Sequence, residues 1–313
     1  MKIGLALGSG SSRGWSHIGV IQALGELGIE PDIVCGTSAG AIVGAAYVAN
    51  NLENLERWAL SITKFETAKL FELKKSFNGF VNNKRLQQFL IQHVADKNIR
   101  IETLEKRFAT VATDLETGRE VWLNKGCLLT AIWPSFALPG LFSPVEYESS
   151  WLIDGGLVNP VPVSLCRALG AEFVIAVNLN GDLVGRQPQL SLAKEKKIKI
   201  SNKSALSSSN DNNSFVDKVS QYVSSRTPTV FTREEKIITP PSLFETLAGS
   251  VNIVQDRITK SRMAGDPPEI LLTPRLADIG LLELYRAEEA IAEGKACVQR
   301  MAPEIQHILD TLT

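Results

Sequence analysis

The apolar positions of this chain fall into two rhythms. Short unbroken runs, with Ile3-Gly4-Leu5-Ala6-Leu7 and Asp32-Ile33-Val34-Cys35 first among them, read as strands buried on both faces, and longer segments with helical spacing lie between and after them. Over the first 50 residues the order is strand, Gly-rich turn, helix, strand, sharp turn, helix, which predicts an α/β domain with a largely parallel sheet. Residues 52–94 are mostly helical in pattern, with a break at Phe77-Asn78-Gly79. Strand character returns at 107–113, Thr117-Gly118 turns the chain, and 120–123 reads as the hairpin partner. A helix at 128–136, short strands near Val145 and at 151–153, a helix after Pro162 and an interior strand at 172–179 come next. Farther on, 243–264 predicts a long helix, 270–272 a strand, and 281–312 mostly helix.

Composition changes abruptly near Gly181. Residues 194–199 hold four lysines, and 201–214 are dominated by Ser and Asn, too little apolar surface to offset the entropy of ordering. The expected organisation is a core over 1–181, a polar and mobile insertion over 182–225, and a helical portion over 226–313 that completes the same domain. The lysine cluster reads first as a solvated loop and second as a peripheral contact with anionic lipid head groups.

With 313 residues, 44% of them hydrophobic, the chain can bury a large core, and a net charge of −1 gives no reason to expect nucleic acid as a partner. The four cysteines, Cys35, Cys127, Cys166 and Cys297, form no CxxC pair and point to a reducing compartment. The first residues lead at once into a strand, leaving no room for a signal peptide, and no apolar run approaches the roughly 18 residues of a spanning helix. The expected location is therefore cytoplasmic, with contact at the inner membrane face as the lysine cluster's second reading. Oligomeric state is left open.

Candidate chemistry begins at Gly36-Thr37-Ser38-Ala39-Gly40, where a strand gives way to a small-residue helix. A serine on such a turn holds its hydroxyl above the sheet edge, and Gly36 and Gly40 are required by backbone crowding. The hydroxyl needs a base. His93 and His307 lie in ordinary amphipathic helices, and His17 precedes the serine one turn into the first helix. Asp154, ending the apolar run Trp151-Leu152-Ile153 and followed by Gly155-Gly156, is the favoured base, with a histidine the lesser reading. Gly8-Ser9-Gly10-Ser11-Ser12-Arg13-Gly14 comes after the first strand, and its backbone N–H groups, backed by a helix start, suit developing negative charge, with Arg13 as an added cation. The same turn is one residue too long for the GxGxxG of dinucleotide sites and lacks their ribose-binding acid. No His, Cys or acid cluster has metal-ligand spacing, and neither metal nor cofactor is expected.

These elements, in this order, resemble the patatin-like phospholipases, and more closely their bacterial branch related to neuropathy target esterase. The resemblance covers about residues 1–180 and extends to Leu5-Ala6-Leu7-Gly8, His17-Ile18-Gly19-Val20, Thr113-Asp114-Leu115, Leu138-Pro139-Gly140 and Asn159-Pro160-Val161-Pro162. It implies a three-layer α/β/α fold, Ser38 as nucleophile in G-x-S-x-G, and Asp154 as base in D-G-[GA]. It also implies an oxyanion segment at Gly10 and Ser11, with Arg13 and Gly14 at its Arg-Gly, and a lipid or other acyl ester as substrate. One departure stands out: the usual triple glycine reads Ser9-Gly10-Ser11, and serine takes positive φ poorly. The substituted glycines and the long polar insertion mildly favour the alternative of a non-catalytic regulatory or interaction protein on the same fold.

Overall fold

A computed structural model describes residues 1–70, 83–183 and 243–312; the break expected at Phe77-Asn78-Gly79, the lysine cluster and all but the start of the polar insertion lie outside the described residues. The amino-terminal half contributes β1 (Ile3–Leu7), α1 (Ser16–Glu26), β2 (Ile33–Thr37), α2 (Ala39–Val48), α3 (Leu52–Ser61), α4 (Lys64–Leu70) and α5 (Asn83–His93). Next come β3 (Arg107–Asp114), β4 (Glu120–Leu123), α6 (Leu128–Ser135), β5 (Val145–Tyr147), β6 (Ser150–Asp154), α7 (Val163–Ala168) and β7 (Phe173–Val177). The final described stretch holds α8 (Leu243–Gly265), β8 (Ile270–Leu272) and α9 (Ala287–Leu312). Residues Met1–Gln187 and Leu243–Thr313 make one compact unit.

The sheet is mostly parallel, as the strand–helix alternation requires. β1 lies between β2 and β7, β2 continues to β3 and β7 to β8, all in parallel, while β4, β5 and β6 add antiparallel pairs at the β3 side. Side chains alternate between two cores, as period-two strands must. Leu5, Leu7, Val34, Ile175 and Val177 face the larger one, with α1, α2 and α9, whereas Ala6, Ile33, Cys35, Val174 and Ala176 face the smaller one under α7. Helices thus cover both faces, giving a three-layer α/β/α arrangement around a largely parallel sheet. Cys35, Cys166 and Cys297 are buried, Cys127 is half-buried, and all four are free thiols.

Register explains how distant parts of the chain meet. Every residue of β3 has two edges. Thr110 and Val111 pair with β2 on one side and β4 on the other, while Ala112 and Thr113 pair with β4 and with β6. β6 therefore takes up the same edge of β3 where β2 leaves off. Thr37, the last residue of β2, sits opposite Val111, and Asp154, the last of β6, sits opposite Ala112. The two strand ends abut, and the turns that leave them emerge at one place.

Candidate active site

β2 leads directly into Ser38, with φ 57 and ψ −119, a conformation that L residues seldom adopt and that persists only where the surroundings impose it. Here they do. A Cβ on Gly36 would strike Ala41 and the Gly40 carbonyl, and one on Gly40 would strike the Leu7 and Gly8 carbonyls, so the turn closes only with glycine at both places. The Ser38 N–H donates to Oγ of the buried Ser135 at 2.9 Å, pinning the elbow to the end of α6. Ser38 stands at the start of α2, whose N–H groups and positive dipole end face the same space.

The Ser38 hydroxyl donates to Asp154 Oδ2 at 2.7 Å. The other carboxylate oxygen, Oδ1, accepts from the Gly156 N–H at 2.7 Å, and the Asp154 carbonyl accepts from Thr113 Oγ1 at 2.8 Å. Gly155 packs against the Val111 carbonyl, which tucks the turn after β6 onto β3. Asp154 is 1% exposed. Burial pushes its carboxyl up to about 6, against the opposing pull of the Ser38 and Gly156 hydrogen bonds. A carboxylate that titrates there is ionised at neutral pH yet basic enough to take a proton from a hydroxyl in a reacting complex.

The Gly-rich turn lies against this pair. Gly8 donates to the Val177 carbonyl at 3.1 Å, and Gly14 meets Ala39 so closely that a Cβ would collide with the Ala39 side chain. Among the described residues no acceptor faces the N–H groups of Gly10 and Ser11, whereas Ser9, Ser12 and Arg13 spend theirs on Pro160, Leu281 and Gly10 carbonyls. Ser11 takes φ 51, the left-handed conformation that its position demands and that glycine would take more easily. Side chains of the turn compensate. Ser11 Oγ donates to the Leu281 carbonyl at 2.7 Å, Ser12 Oγ to that of Gly280 at 2.5 Å, Arg13 Nε to that of Ile279 at 2.9 Å, and Trp15 Nε1 to that of Leu284 at 3.1 Å. Residues 279–284 act as a strap to which the turn is tied. No local signal in the sequence links the two segments.

Arg13 is occupied by that strap. Its guanidinium is buried, bonds Ile279 and is absent from the walls of the cavity at Ser38; burial pulls it down to about 10, with Glu283 opposing. The structure thus anchors Arg13 to the strap beside the turn. His17 is fully buried and held down to about 4 by desolvation, its Nε2 donating to the Gly8 carbonyl at 2.8 Å. His93 stacks on Trp58 with ring centroids 5.6 Å apart, and His307 is exposed on α9. None is hydrogen-bonded to Ser38.

A cavity of about 130 Å³ opens beside Ser38, walled by apolar side chains that include Trp15, Ile42, Trp58, Phe89, Phe136 and Phe142. Trp133 is not in the lining, its ring centroid 5.8 Å from that of Phe136. Among the described residues no group of three or more His, Cys, Asp or Glu could hold a metal ion, and no helix is long and apolar enough to cross a membrane.

Comparison with known proteins agrees with this architecture. Residues 5–167 match the model of the patatin-like phospholipase family. An uncharacterised NTE family protein of Mycobacterium tuberculosis is 31% identical over 94% of this chain and 89% of its own length. The human patatin-like phospholipase domain-containing protein 6 is 31% identical over 61% of this chain, but only 14% of that much longer protein is covered. A lysophospholipase of Aspergillus fumigatus is 29% identical over 60% of this chain and 12% of its own.

Proposed function

Because the chain belongs to the patatin-like phospholipase family, we propose that it hydrolyses lipid acyl esters with a Ser38–Asp154 dyad. The observation that carries the reading is the 2.7 Å hydrogen bond from a strained, half-buried hydroxyl to a buried carboxylate at the wall of an apolar cavity. The acyl chain lies in that cavity. Ser38 Oγ attacks the ester carbonyl carbon while its proton passes to Asp154 Oδ2, and the carbonyl oxygen becomes an oxyanion facing the Gly10 and Ser11 N–H groups. As the tetrahedral intermediate collapses, the alcohol leaves with the proton from Asp154. Asp154 then takes a proton from water, whose oxygen attacks the acyl-serine, and returning that proton to Ser38 Oγ releases the fatty acid. Each oxyanion donor is worth on the order of 3 kcal/mol by comparison with other acyl-transfer sites. The buried neutral His17, bonded to a backbone carbonyl, takes no part.

A fluorophosphonate probe tests the reading. Labelling of the wild type but not of Ser38→Ala, with fatty acid released from a phospholipid or lysophospholipid, is expected. A folded wild type that takes no label would instead favour the non-catalytic alternative.

A further inference from the structure

One stretch of α8 runs against the usual polarity. Ile253 and Val254 are exposed at 44% and 46%, while Gln255, Asp256 and Thr259 of the same helix are buried at 5% or less. Burying amide, carboxyl and hydroxyl groups while leaving aliphatic ones in water is the opposite of what packing alone selects, so the buried face has another task.

Gln255 shows what that task is. Its Oε1 accepts from Ser9 Oγ at 3.0 Å and from Asn180 Nδ2 at 3.0 Å, and Asn180 Nδ2 also reaches the Ser9 carbonyl at 3.4 Å. Its Nε2 lies over Gly156, where a Cβ would collide with that nitrogen and with Asp154 Oδ1 together. One buried amide thus spans Ser9 of the Gly-rich turn, Asn180 just past β7, and the Cα of Gly156, whose N–H holds the carboxylate. We infer that Gln255 is a positioning residue, coupling the turn that faces the oxyanion to the acid of the dyad. The inference rests on the dyad reading. Gln255 is absent from the walls of the acyl cavity, so it acts through Ser9 and the Asp154-Gly155-Gly156 turn and not by touching the chain of the substrate. No charged side chain enters the balance at Asp154, which is set by burial, Ser38 and Gly156. On α8, Asp256 and Lys260 bond each other at 2.8 Å, and Arg262 bonds Glu120.

The test is kcat/KM against pH for the wild type, Gln255→Leu, Ser9→Ala and the double variant, on a soluble fatty acyl ester. Gln255→Leu is expected to lower kcat about ten- to hundredfold with KM little changed, the scale of a small misplacement of catalytic groups. Its acid limb should move to higher pH, because the Gly156 turn, whose N–H supports the carboxylate, loses the amide packed against it. Ser9→Ala should show a weaker form of both effects, and the double variant should be no worse than Gln255→Leu, since both changes cut one link. A folded Gln255→Leu with an unmoved acid limb, or losses that multiply in the double variant, overturns the inference. Should Gln255→Leu fail to fold, the acid limb of Ser9→Ala decides in its place: a shifted limb supports the coupling and an unmoved one overturns it. An unlabelled wild type would sink the dyad itself, whereas a labelled wild type with indifferent Gln255 and Ser9 variants would sink only the coupling.

Discussion

Replacing Asp154 by asparagine should make the protein inactive and, above pH 6, more stable. Burial raises the Asp154 carboxyl from 3.8 to about 6, so the folded chain holds that proton more tightly than the unfolded one. The stabilisation this gives is complete below about pH 4 and is lost as pH rises through 6. At pH 8 the folded state carries a buried carboxylate whose ionisation costs about 3 kcal/mol relative to the unfolded chain, the free-energy equivalent of that separation. Asparagine keeps the oxygen that accepts from Gly156 and a polar partner for Ser38, but it never ionises. The Asn variant and the wild type should therefore unfold alike near pH 4. At pH 8 the variant should gain up to about 3 kcal/mol, or about 6–12 °C in Tm for a domain of this size. Urea titrations of both proteins at the two pH values measure the difference, and groups that titrate in both cancel. Parallel stability curves across that range, or an Asn variant weaker at pH 8, would refute the reasoning.

The same titration should govern rate: kcat/KM is expected to climb tenfold per pH unit below about 6 and level off above it, read with a soluble ester substrate. Ser11→Ala keeps the left-handed strain and loses the bond to Leu281, so fluorophosphonate labelling should slow severalfold; Ser11→Gly, which relieves roughly 1–2 kcal/mol of strain, should recover part of that rate. His17→Phe should leave the pH profile of activity in place while costing about 1–3 kcal/mol in urea unfolding, because the buried Gly8 carbonyl loses its partner. Ile42→Trp should fill the cavity and shift preference toward shorter acyl chains, seen in the ratio of C4 to C16 ester hydrolysis.

Much of the fold was legible because its signals are local. Continuous apolar runs at β1, β2 and β7 announced strands buried on both faces, and Gly36 and Gly40 around Ser38 announced a turn with no room for a side chain. What was not legible depends on pairings across long separations. The bond from Ser11 to Leu281 spans 270 positions, and nothing near either residue predicts the other. Read locally, Arg13 next to a Gly-rich turn is a cation for an anion site; only the strap at 279–284 shows that its Nε is bonded to the Ile279 carbonyl. Ser135 lies 97 positions from Ser38, and nothing beside it in the sequence marks it as the acceptor of the Ser38 N–H. Gln255 was hidden by its own helix, whose apolar Ile253 and Val254 would normally be assigned to the interior.

One geometric fact joins these parts. The hydroxyl and the carboxylate meet because β2 and β6 are both referenced to one edge of β3, at consecutive residues Val111 and Ala112. The distance between them is therefore set by strand register and not by the loops that connect the strands, some of which are long. Strand register is stiff: a slip of one residue turns every side chain to the opposite face. Such a slip in β6 would send Asp154 away from Ser38 and present Ile153, now at the antiparallel pair with Thr113, in its place. The supports beyond the sheet, the strap on the Gly-rich turn and Gln255 beneath it, have a different burden. They hold a turn that carries Ser9 and Ser11, the latter at positive φ, at a site where the sheet fixes only the Ser38–Asp154 pair. Loss of a support should therefore slow the reaction by degrees, while loss of register should abolish it.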